Sequence, residues 1–145
     1  SVLLRMTNNI KGNLSISQIA TCEENNFKIS IYGDKGALHW SQENPNYAMF
    51  NKLGQANQIV SRGGFILYDG SLSSTRVPPG HPEGYLEAFA QIYSDAADVI
   101  MNKPNKLELL DILPNVKDGL HIMKFINACV DSSNSNSNWT NLSTE

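Results

Sequence analysis

The 145-residue sequence predicts an α+β fold: an open, mainly antiparallel β-sheet of about six strands with two amphipathic helices packed on one face. Three observations carry this expectation. Apolar residues recur at every second position through roughly the first sixty residues. They recur at helical spacing around 86–100 and 120–130. Clusters of Gly, Asn, Asp, Ser and Pro separate the runs, where turns belong.

The elements follow in order. Val2-Leu3-Leu4-Arg5-Met6 reads as an opening strand, and Asn8-Asn9-Ile10-Lys11-Gly12 suits a hairpin turn. Leu14, Ile16 and Ala20 alternate with Ser15, Ser17 and Thr21, which predicts a strand with one buried face. Phe27, Ile29 and Ile31 alternate with Lys28, Ser30 and Tyr32 in the next strand. Gly33-Asp34-Lys35-Gly36 then offers two glycines able to take positive φ in a tight hairpin. Ala37-Leu38-His39-Trp40 is the return strand. Tyr47 to Phe50 and Gln58 to Arg62 complete the meander around a Lys52-Leu53-Gly54 turn. One face of this sheet carries Ser15, Ser17, Ser30, Tyr32 and His39, so it is either solvated or paired with another subunit.

A loop from about Gly63 to Gly80 follows, and loops of that length in a compact domain usually serve function or partner contact. Leu86, Phe89, Ile92, Tyr93, Ala96 and Ile100 form the apolar stripe of a first helix, ending near Asn102-Lys103-Pro104. Asn115 caps a second helix, with Asp118 completing a variant of the capping box. Leu120, Met123, Ile126 and Val130 give that helix its apolar stripe. Ser132 to Asn138 is polar and reads as a turn or mobile segment, after which Trp139 anchors the tail.

Composition narrows the function. With 41% hydrophobic and 17% charged residues the chain fits one soluble globular domain. A net charge of −3 and no basic run give no reason to expect nucleic acid. No stretch approaches the roughly 20 apolar residues of a membrane span. Cys22 and Cys129 are far apart without CxxC spacing, which favours free thiols in the reducing cytoplasm over a disulfide. There is no glycine-rich dinucleotide fingerprint, no phosphate loop, no serine in a nucleophile elbow and no placed pair of carboxylates. His121 has no Cys, Asp or Glu at metal-ligand spacing, so no metal site is expected. The chain opens directly on strand residues without a methionine, as expected of a piece of a longer polypeptide.

Polar chemistry concentrates in Thr75-Arg76-Val77-Pro78-Pro79-Gly80-His81-Pro82-Glu83-Gly84-Tyr85. Pro78 and Pro79 hold the approach extended, Pro82 suits a first helical position, and Glu83 suits the first turn. His81 then stands at a helix mouth, where it either hydrogen-bonds a sugar-like or anionic ligand or caps its own helix. Arg76 either clamps an anion or makes a structural salt bridge, and Arg62 is ambiguous in the same way. Tyr85 either lines the same pocket or packs at the rim of the core. His39 beside Trp40 allows a second idea, a sugar stacked on the open sheet face with Tyr32, against the plainer reading of Trp40 as core.

Ser17-Gln18-Ile19-Ala20 and the run Ile31-Tyr32-Gly33-Asp34-Lys35-Gly36-Ala37-Leu38-His39-Trp40-Ser41-Gln42-Glu43-Asn44-Pro45 resemble the C-terminal domain of the Gfo/Idh/MocA oxidoreductases. Arg62-Gly63-Gly64, Thr75-Arg76-Val77-Pro78, Gly80-His81-Pro82-Glu83-Gly84-Tyr85, Asp118-Gly119-Leu120, Lys124-Phe125-Ile126, Ser132-Ser133 and Trp139 continue the likeness in the same order over nearly the whole chain. The resemblance implies that residues 1–145 are most of the substrate and oligomerisation domain of a two-domain dehydrogenase acting on CH–OH groups of a sugar, cyclitol or related polyol. It also implies an NAD or NADP cofactor held by an N-terminal Rossmann domain, and a Glu-Lys-Pro lysine and an Asp/His helix, all upstream of Ser1. No catalytic, cofactor or metal role transfers to a residue present. His81, Arg76 and Tyr85 match a motif near the domain junction and are expected substrate contacts. The open sheet face becomes an expected homo-oligomer interface, and the isolated domain is expected to be inactive. The alternative is a non-catalytic carbohydrate-binding or dimerisation module.

Overall fold

The computed structural model describes residues 1–64, 74–103 and 113–142. The loop expected from about Gly63 to Gly80 lies partly, and Pro104 at the expected end of the first helix wholly, outside those residues. Among the described residues the fold is α+β, with six antiparallel strands and two α-helices, and the chain divides into two compact units.

In the first unit, which spans Ser1–Thr21 and Glu108–Glu145, β1 (Val2–Arg5) pairs with β2 (Lys11–Leu14). Asn8 and Asn9 take φ of 57° and 60° in the connection, a left-handed pair that asparagine tolerates better than most residues. α2 (Val116–Asn134) belongs to the same unit. Its cap forms as the sequence predicts: Asn115 Oδ1 accepts from Lys117 N at 2.8 Å, and Asp118 Oδ2 accepts from Asn115 N at 2.8 Å. The polar stretch after it is more ordered than composition implies. α2 runs on to Asn134, and Ser132 Oγ then donates to the Asn138 carbonyl at 2.7 Å to close a turn. Trp139 stacks beneath the Arg5 guanidinium, whose Cζ lies 4.0 Å from the ring centroid.

In the second unit, Cys22–Leu107, four strands pair in sequence order: β3 (Lys28–Tyr32), β4 (Gly36–Ser41), β5 (Tyr47–Lys52) and β6 (Gln58–Ser61). α1 (Tyr85–Ile100) follows. The six strands thus divide into sheets of two and four rather than forming one. The division falls where a strand over 14–21 was expected. β2 stops at Leu14, and Ser17 Oγ accepts from Ile19 N at 3.3 Å, a local bond that replaces a ladder partner. Alternation alone did not secure a neighbour, and Ile19 is 90% exposed.

The register sorts the four-stranded sheet into two faces. Ile29, Ile31, Leu38, Trp40, Ala48, Phe50 and Val60 share one, and Ser30, Tyr32, His39, Met49 and Ile59 share the other. The hairpin glycines differ from expectation. Neither Gly33 nor Gly36 has positive φ; among the described glycines only Gly54, Gly63 and Gly80 do. Gly36 is instead demanded by proximity, because a Cβ there would lie 2.5 Å from the Asn51 carbonyl oxygen.

No described side chain is fully buried, and the helical stripes remain largely exposed: Leu86 is 77% and Phe89 46% accessible, Met123 54% and Ile126 47%. Among the described residues no helix is long and apolar enough to cross a membrane. Cys22 and Cys129 are both free cysteines.

Candidate functional site

The second unit ties the end of β6 to the segment that leads into α1. Arg62, just past β6, is the centre of this cluster. Its Nε donates to Asn46 Oδ1 at 3.0 Å, and its Nη1 donates to the Val77 carbonyl and to Glu83 Oε1, both at 3.1 Å. Its Nη2 donates to the His81 carbonyl. A guanidinium can meet four acceptors at once because its donors radiate in one rigid plane. Its ion pair with Glu83 is mostly shielded, with side-chain exposures of 18% and 8%.

Glu83 gathers the other side of the cluster. Its Oε1 also accepts from the amides of Arg76 at 2.6 Å and Val77 at 2.5 Å. Asn46 locks its backbone twice, with Nδ2 donating to the Glu83 carbonyl and Oδ1 accepting from the Glu83 amide, each at 2.9 Å. Pro79 packs on Gly63, whose φ of 74° and 3.0 Å clearance to Pro79 Cγ both exclude a side chain. The result is a proline-stiffened loop pinned at both ends.

These bonds also move the helix start. Glu83 is not in the first turn, because its carboxylate is turned toward the loop amides; α1 begins at Tyr85 with Gly84 as N-cap. Glu87 takes the capping role and accepts from Gly84 N at 2.8 Å. That bond, and next its own backbone amide, hold the Glu87 carboxyl below the usual glutamate range. A lowered folded-state pKa stabilises above the unfolded value and is lost as pH falls through the lowered one. Glu87→Gln is therefore expected to remove an acid-sensitive contribution to the order of α1's first turn. Amide exchange at Gly84 followed down in pH checks this; identical profiles for the two proteins would refute it.

Each expected contact residue can now be placed. His81 lies in the pinned loop, not at the helix mouth: its amide donates to the Pro78 carbonyl at 3.2 Å and its carbonyl is held by Arg62. Its imidazole makes no hydrogen bond among the described residues, and the residue is exposed. Tyr85 opens α1, 66% exposed, with its ring 4.7 Å from that of Phe89 and its hydroxyl unbonded among the described residues. Arg76 is partly committed, its Nη1 donating to Gln91 Oε1 at 3.1 Å and Ser94 Oγ at 3.4 Å along α1. Asn46 and the inward use of Glu83 had no sequence signal, since Asn46 sits 37 residues from its partner.

The sugar-stacking idea on the open face does not assemble. Trp40 lies on the opposite sheet face from His39 and Tyr32, with Nε1 donating to the Pro45 carbonyl at 3.1 Å and its ring edge-on to Phe27. Tyr32 and His39 meet at 74° rather than forming a flat platform. His39 Nδ1 is within 3.0 Å of Ser30 Oγ. Beside His39 runs an open groove of about 570 Å³ whose lining includes Lys28, Ser30, His39, Trp40, Tyr47 and Ile59. Among the described residues no group of three His, Cys, Asp or Glu side chains could hold a metal.

An antiparallel meander whose last strand is tied to a helix-leading loop defines the class: an α+β domain. Residues 1–142 match the oxidoreductase family C-terminal alpha/beta domain of the Gfo/Idh/MocA type, and the chain belongs to that family. It is 30% identical over 141 residues to the uncharacterized oxidoreductase YfiI of Bacillus subtilis (strain 168), covering 95% of this chain and 36% of that protein. Among solved structures, an oxidoreductase from Sinorhizobium meliloti is 39% identical with a TM-score of 0.77, over 86% of this chain and 35% of that one. An inositol dehydrogenase homolog from Azotobacter vinelandii, complexed with NADH and myo-inositol, is 30% identical with a TM-score of 0.69, over 80% of this chain and 31% of that one. The chain thus spans about a third of the length of these relatives.

Proposed function

We propose that this domain forms the substrate-facing wall and the subunit interface of an NAD(P)-dependent oxidoreductase that acts on CH–OH groups of a sugar, cyclitol or related polyol. Family membership supports the oxidoreductase class, and the myo-inositol complex of the Azotobacter vinelandii homolog supports the polyol. The observation that carries the site is the pinned loop, which fixes the backbone of His81 while leaving its imidazole unengaged. A neutral imidazole offers one donor and one acceptor, matching vicinal hydroxyls, and the Tyr85 hydroxyl adds another pair. Arg76, through its Nε and Nη2, completes the proposed contacts.

Among the described residues, the helix N-termini do not fit the dinucleotide itself. The N-cap amides of Gly84 and Asn115 are already met by the Glu87 and Asp118 carboxylates, and Lys117 N by the Asn115 amide oxygen; the two carboxylates oppose a pyrophosphate at either helix N-terminus. Cofactor binding is assigned to a Rossmann domain of the complete polypeptide, and the domain alone to inactivity. The open face of the four-stranded sheet, with its groove, is assigned to a second copy of the chain.

The test is turnover by the complete polypeptide on a panel of myo-inositol, aldoses and sugar alcohols, with NAD+ and NADP+ in turn. His81→Ala is expected to raise KM for the active polyol about three- to tenfold, the loss of one hydrogen bond. No turnover across the panel would overturn the activity, and an unchanged KM would remove His81 from the site.

A further inference from the structure

We infer that Arg62 is a positioning residue for substrate binding, acting through the backbone of the His81 loop; this rests on the reading of His81 as a substrate contact. One guanidinium holds the carbonyls of Val77 and His81, which bracket the Pro78-Pro79-Gly80 turn. The same group is fixed from the sheet side by Asn46, in the turn before β5, and charge-balanced by Glu83. The loop's second anchor is independent of its prolines: Glu83 Oε1 receives the amides of Arg76 and Val77. Pro78 and Pro79 have no amide hydrogens to give, so carbonyls and flanking amides are the groups available to pin this stretch. Without Arg62 the His81 carbonyl loses its partner, and of the His81 backbone bonds among the described residues only that of its amide to Pro78 O, internal to the turn, remains.

The geometry demands arginine. Lysine supplies charge toward Glu83 but concentrates its donors on one atom, so it cannot serve Asn46, Val77, Glu83 and His81 together. The inference therefore concerns direction rather than charge: Arg62 sets where the imidazole points without touching substrate.

A double-mutant cycle in the complete polypeptide, with the best polyol of the panel above and saturating cofactor, tests this. Arg62→Lys is expected to raise KM about three- to tenfold, as His81→Ala does, with kcat within about twofold of wild type. The double variant is expected to match His81→Ala alone, because the positioned group is already gone. Additive losses, or an unaffected KM in Arg62→Lys, overturn the inference while leaving His81 as a contact. An unaffected KM in His81→Ala removes the underlying reading and the inference with it. Should Arg62→Lys not fold, by circular dichroism and oligomeric state, Asn46→Ala replaces it in the same cycle, since it removes the acceptor of Nε. Additivity there counts against the inference equally.

Discussion

Glu83→Ala is expected to cost about 3 kcal/mol, because it strands a shielded guanidinium and two loop amides in one step. The Glu83 side chain is 8% exposed and its Oε1 serves Arg62, Arg76 N and Val77 N together. Its removal leaves Arg62 with carbonyl and amide partners but no counter-charge. Water enters the cavity, and the loop between 76 and 83 loses one of its anchors. Glu83→Gln keeps an acceptor oxygen and gives up the charge, so it should lose about half as much. Urea denaturation of the complete polypeptide reads the global effect, and amide exchange at Arg76 and Val77 reads the local one. A cost below about 1 kcal/mol, with unchanged exchange at those amides, would show that the cluster is not the anchor described.

Gly36→Ala is the second large expectation, at about 1–3 kcal/mol. The added methyl would meet the Asn51 carbonyl oxygen at 2.5 Å and Lys52 Cα at 3.3 Å, both backbone atoms of β5. No side-chain rotation can relieve such a clash, so β4 and β5 must part at that end. Gly33, three residues earlier in the same turn, supplies the control. Its Cβ would meet only the Gly36 carbonyl, at 3.6 Å, an ordinary contact. Gly33→Ala should therefore be close to neutral, and equal midpoints for the two alanine variants in chemical denaturation would refute the argument.

Most of the architecture was legible in the sequence. Alternation located β3 to β6 within a residue or two, and helical spacing with the Asn115 cap located both helices. These signals are local, and local patterning is what strands and helix ends obey. The strand expected beyond Leu14 failed because pairing needs a neighbour, and Ser17 satisfied the backbone within its own turn. Gly36 was noticed for the wrong reason: two glycines in a hairpin suggested positive φ, whereas the cause is a strand passing too close. The site was half legible. The segment from Arg76 to Tyr85 stood out by composition, but the partners that fix it are distant in sequence. Asn46 meets Glu83 across 37 residues and Arg62 meets it across 21, separations that no periodicity encodes.

The Arg62 cluster has a bearing on engineering. Anyone transplanting the Gly80-to-Tyr85 motif into another scaffold to reproduce its conformation would carry the visible piece and leave its foundations behind. Asn46 and Arg62 would have to travel with it, each on its own strand end, or the grafted histidine would wander.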